Sequence, residues 1–138
     1  MYQRIVAQRG HVLFGQRDGV GELFDEATRS DFEPSVLLRV YFGQLLALAD
    51  QWGVRVVFVL MPINESSLAA MPDSYRADVE AMFAALATMY PEHTIDGQLW
   101  ALPDECFGDR SHVNAKGSRI VSQRVRELIT STRTLELP

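Results

Sequence analysis

Val54-Arg55-Val56-Val57-Phe58-Val59-Leu60 runs straight into Met61-Pro62. The run is rich in β-branched side chains and stops at a proline, so it predicts a strand. Its nearly continuous apolar character suits a parallel sheet covered on both faces. Upstream, Leu37, Val40, Tyr41, Leu45, Leu48, Ala49 and Trp52 recur at three- and four-residue steps. They predict an amphipathic helix entered at Glu33-Pro34, ended near Gly53 and turned inward on that face. Downstream, residues 61–67 read as a polar loop. A second helix is expected from Asp73 or Ser74, either side chain able to cap it, through Val79, Met82, Phe83, Leu86 and Met89 to Tyr90-Pro91.

Residues 93–96 predict a further strand, and a loop rich in Pro, Asp and Gly then leads to Asp109. The last helix is expected from Asn114, with Ile120, Val121, Val125, Leu128 and Ile129 inward. Residues 134–137 could add an edge strand. Residues 11–15 suggest a short strand and residues 17–21 a turn. Helices alternating with strands at these lengths imply right-handed crossovers and an α/β fold, a small parallel sheet with flanking helices. In such sheets ligands gather beyond the carboxyl ends of the strands. Both the loop after Pro62 and the loop from Asp96 to His112 should lie there. The 138 residues form one expected domain, with residues 1–33 a poorly defined lead-in and residues 34–131 the organised part.

Composition narrows the partners. A net charge of -5 argues against nucleic acid or an anionic membrane surface. Lys116 is the only lysine, which reads as compositional bias. One cysteine, Cys106, excludes an internal disulfide. Arg4, Arg9 and His11 interrupt the apolar residues of the first fifteen, so no signal-peptide core is expected. The longest apolar run, residues 56–62, is too short to cross a bilayer. On this reading the chain is neither exported nor anchored by itself, and an envelope location would follow only from a longer exported parent.

The chemistry concentrates in Phe107-Gly108-Asp109-Arg110-Ser111-His112-Val113-Asn114-Ala115-Lys116-Gly117. A histidine works as a general base near neutral pH when its tautomer and orientation are fixed. A carboxylate that accepts the Nδ1 proton does this and stabilises the imidazolium that forms. Asp109 and His112 are close enough to share one tight turn. Asn114 can cap the helix that follows, and Gly117 can let that helix approach the sheet. The plain alternative is that Asp109 and Ser111 are turn residues and His112 an exposed loop histidine.

The spacing Asp109-x-x-His112-x-Asn114-x-x-Gly117 before an amphipathic helix resembles the last block of SGNH (GDSL-type) hydrolases, a family of flavodoxin-like three-layer architecture. The strand of residues 54–60 entering Pro62-Ile63-Asn64 is similar to the SGNH-like proteins that acylate cell-envelope polymers, of the D-alanine transfer and alginate acetylation types. The resemblance spans roughly residues 35–130. It implies a Ser-His-Asp triad with His112 as base and Asp109 as orienting acid. The substrate would be an acylated small molecule or carbohydrate, and no cofactor is implied. The serine of that family stands in a Gly-Asp-Ser block, which this sequence lacks, as it lacks any Gly-x-Ser-x-Gly. The chain thus resembles the C-terminal half of the fold. It is expected to be part of something larger, to associate with a serine-bearing half or with a second copy of itself, or to be a binding domain that kept the fold without the chemistry.

Local substitutes for the serine are Ser66, Ser67 and Cys106. Each has an ordinary alternative, as a turn or helix-start residue for the serines and a buried small hydrophobe for the cysteine. Asn64 is a candidate oxyanion donor or a loop residue bonding its own backbone. Trp100 and Phe107 could line a pocket or anchor their loop. Tyr41, Trp52, Met82, Phe83 and Met89 are expected in the core, His93 at the surface or a sheet edge, and Arg110 in solvent. His93, Asp96, Asp104, Glu105, Asp109 and His112 have metal-ligand chemistry but no metal-binding spacing, so no metal is expected.

Overall fold

The computed structural model of the chain describes residues 22–134. Helices α1 (Val36–Gln51), α2 (Glu65–Ala70), α3 (Asp73–Met89) and α4 (Ala115–Thr134) and strands β1 (Val57–Val59), β2 (Ile63–Asn64), β3 (Thr94–Asp96) and β4 (Ala101–Leu102) follow in the order α1-β1-β2-α2-α3-β3-β4-α4. Short 3-10 turns stand at Asp25–Thr28 and Asp104–Cys106. The fold is α/β and its strands are parallel. The β1 strand pairs with β3, Phe58 opposite Ile95, and β2 pairs with β4, Ile63 opposite Ala101.

Two small sheets therefore replace the single one expected. Pro62, which has no N–H to donate, falls between β1 and β2, and the ladder lapses there. The region predicted as a polar loop also becomes ordered. Asn64 Oδ1 accepts the Ser67 N–H at 3.1 Å and so caps α2. At α3 neither Asp73 nor Ser74 is the cap. Pro72 precedes the helix, no side-chain cap forms, and Asp73 is a first-turn residue paired with Arg76, where its charge suits the positive end of the helix. Gly53 closes α1 at φ 61, a conformation that allows the Val54 N–H to reach the Ala49 carbonyl at 2.9 Å.

The core gathers at Phe58. Its ring meets Phe42 of α1 edge-on at 5.1 Å and stacks on Phe83 of α3 at 5.2 Å. Met71, Tyr75, Val79 and Phe83 form the buried cluster beneath. A second cluster, Leu102, Cys106 and Phe107 with Trp100, Val113 and Val121 packed against it, seats the start of α4. There Gly117 lets the helix come in close, for a Cβ on it would stand 2.4 Å from the Cys106 carbonyl oxygen.

The helix faces depart from expectation. Because Phe42 makes the contact with Phe58, α1 buries Leu46 and Ala49 and turns Leu37, Val40, Tyr41, Leu45, Leu48 and Trp52 outward. Met89 is likewise exposed, whereas Phe83 is buried and Met82 half-buried. On α4 the inward strip is narrower than predicted. Val121, Val125 and Leu128 are half-buried, and Ile120 and Ile129 lie beyond its borders. The strand expected at residues 11–15, the turn at 17–21 and residues 135–137 of the expected edge strand lie outside the described residues, and Thr134, its first residue, ends α4.

Candidate active site

The Asp-His turn is built from local contacts. Phe107 and Val113 pair across its base as an antiparallel bridge, and the Gly108 N–H donates to the His112 carbonyl at 2.9 Å. Inside it, Asp109 Oδ1 accepts the N–H groups of Ser111 at 2.9 Å and His112 at 2.8 Å. An aspartate bonding its own backbone in this way folds the chain back on itself. It also brings His112 Nδ1 to 3.0 Å from both carboxylate oxygens. A carboxylate can only accept, so Nδ1 carries the proton and Nε2 is the basic nitrogen. The Ser111 hydroxyl stands 3.2 Å from Nδ1, on the oriented side of the ring. The side chains of Asp109 and His112 are 40% and 49% exposed, so the pair sits on an open rim.

Below the turn, Asn114 locks α4 in place. Its Nδ2 donates to the carbonyls of Glu105 at 2.8 Å and Phe107 at 3.3 Å, and its Oδ1 accepts the N–H groups of Lys116 and Gly117. Lys116 pairs with Glu105 on the surface. Arg110, expected in solvent, pairs with Asp25 at 2.7 Å, though both remain exposed.

Burial pushes the Asp109 carboxyl up, but the Ser111 N–H and the side chain and N–H of His112 outweigh it and hold the group below its ordinary range. The sign follows from that depression. The interaction stabilises the fold fully above the unfolded carboxylate value of about 3.9, and the stabilisation is lost as pH falls through the lower folded value. Asp109→Asn should therefore remove part of the acid-side loss of stability in urea unfolding followed from about pH 6 to pH 2. Superimposable acid limbs for the two chains would refute it.

The two carboxyl-end loops do meet, as the topology predicts. The Ser66 N–H donates to Asp104 Oδ1 at 3.1 Å and the Ser66 hydroxyl to Asp104 Oδ2, tying the start of α2 to the turn after β4. Ser67 is fully buried and its hydroxyl accepts the Phe24 N–H at 2.8 Å. Asn64, also buried, donates to the Glu22 carbonyl at 3.0 Å. Cys106 and Phe107 are fully buried in the cluster under the turn. Trp100 anchors its loop, with Nε1 donating to the Leu60 carbonyl at 2.8 Å.

The sequence does not point to Arg124 and misplaces His93. Arg124 stacks over Trp100 at 4.5 Å and donates to Asp96 at 3.1 Å, joining α4 to the end of β3. Its signal was a charge on the apolar strip of α4, between Val121 and Leu128. His93 is buried, not at the surface. Its Nδ1 accepts the Val56 N–H at 3.4 Å, so Nε2 carries the proton. Nε2 faces Asp50 at 3.3 Å, an electrostatic contact without hydrogen-bond geometry. Among the described residues no group of three or more His, Cys, Asp or Glu side chains is arranged to hold a metal, and no helix is long and apolar enough to cross a membrane.

Comparison with protein-family models, with curated proteins and with solved structures finds no match to the chain.

Proposed function

We infer that the chain is an SGNH-like ester hydrolase or O-acyltransferase domain in which Asp109 and His112 form the acid–base pair. The observation that carries this reading is the Asp109 carboxylate, held by two backbone N–H groups while it accepts the Nδ1 proton of an exposed imidazole. In the reaction, His112 Nε2 takes the proton of the attacking hydroxyl and returns it to the leaving oxygen, while Asp109 stabilises the imidazolium between the steps. The acyl group passes to water or a sugar hydroxyl. Envelope-polymer acylation is the narrower form of the proposal, resting on the Pro62-Ile63-Asn64 resemblance.

The surroundings of Ser66, Ser67 and Cys106 weigh against each of them as the nucleophile of this scheme. The first is bonded to Asp104, and the other two are fully buried. That same observation favours a second reading, a binding domain without catalysis. Intact-mass labelling with a fluorophosphonate separates the two. The hydrolase reading expects one adduct on the wild-type chain, absent in His112→Ala, and peptide mapping then identifies the nucleophile. A wild-type chain that takes no label and turns over no ester would leave the binding domain.

A further inference from the structure

The outward side of α1 is apolar along its length. Val36, Leu37, Val40, Tyr41, Leu45, Leu48 and Trp52 are between 50% and 76% exposed, and Val54 just beyond the helix is 54% exposed. A helix that only covers a sheet has no physical reason to be apolar on the side away from it. The charged residues of α1, Arg39 and Asp50, fall elsewhere on the helix, Asp50 beside His93. We propose that this stripe is a two-fold interface between two copies of the chain, α1 packed antiparallel on its counterpart.

Three observations select a second copy as the occupant. The first is area. Eight large side chains, each leaving on the order of 100 Å² in water, give roughly 800 Å², which is what one partner brings to an interface of standard size. The second is chemistry. The stripe carries no charge, so it offers nothing to a charged peptide or polymer and suits a surface as apolar as itself. The third is spacing. Leu37 and Trp52 stand equally far from the midpoint between Gln44 and Leu45, as do Tyr41 and Leu48. An isologous antiparallel contact about that midpoint brings each of these residues against its counterpart in the partner. Antiparallel helices crossing at that midpoint set Trp52 against Leu37 and Tyr41 against Leu48, at both ends of the contact.

Sedimentation equilibrium of the full chain tests this directly. The wild type should have twice the chain mass. Leu48→Glu, a change at a half-exposed position, should weaken association by more than about a hundredfold, since it buries an unpaired charge. Its circular dichroism and unfolding midpoint should match those of the dissociated wild type. Leu45→Cys stands beside the axis and should form a disulfide-linked dimer on oxidation, while buried Cys106 does not. A monomeric wild type overturns the proposal, whether the stripe is bare or covered by residues 1–21, which hydrogen exchange before and after their removal would distinguish. A dimer unaffected by Leu48→Glu and not cross-linked through Leu45→Cys overturns it as well, by moving the interface to another surface.

Discussion

Exchanging His112 for alanine is expected to lower ester turnover by about a hundred- to ten-thousandfold, the range supplied by a positioned general base. The urea midpoint should move little, because the ring is half exposed. Asp109→Asn sharpens the test. The amide oxygen can still accept the Ser111 and His112 N–H groups, so the turn survives, but the charge that stabilises an imidazolium is gone. Turnover should fall steeply while the fold is retained, with KM changing less than kcat. Turnover equal in all three chains would mean that the Asp-His turn is only a turn. The stability readout makes the result interpretable, since a variant that unfolds would lose activity for an unrelated reason.

Phe107→Ala should produce the largest loss of stability, about 3–5 kcal/mol, against a total of about 5–15 kcal/mol for a domain of this size. The side chain is fully buried with Leu102 and Cys106, and its backbone forms one side of the bridge that closes the Asp-His turn. The cavity would open directly beneath the candidate site, so the loss should appear in both urea unfolding and turnover. Phe107→Leu, which keeps most of the volume, should cost under about 1.5 kcal/mol and retain most of the activity. If Phe107→Ala shifted stability by less than about 1 kcal/mol, the second cluster could not be what seats the turn.

The sequence made the strong elements legible. Three- and four-residue spacing located α1, α3 and α4, and the β-branched run located β1, because hydrophobic period and β-branching are local signals. The direction of the α1 face was not legible. Periodicity reports that one side is apolar, not which layer receives it, and here the core is reached through Phe42 while the apolar stripe looks outward. The split of the sheet was carried by Pro62 but read only as a strand end. At the site, the Asp109–His112 contact was readable from a three-residue spacing. The engagement of Ser66 by Asp104 and of Ser67 by Phe24 was not, since those partners are 38 and 43 residues away.

The parallel pairing has a consequence for how the chain folds. Val57 meets Thr94 and Ile63 meets Ala101, so both sheets are closed by the same crossover through α2 and α3. No ladder bond in either sheet can form before that long loop has been brought together, and the entropy of closing it grows only slowly with length. Once the first pair has met, the second needs almost no further closure. Refolding should accordingly be slow to begin and then all-or-none, both sheets gaining hydrogen-exchange protection in a single kinetic phase.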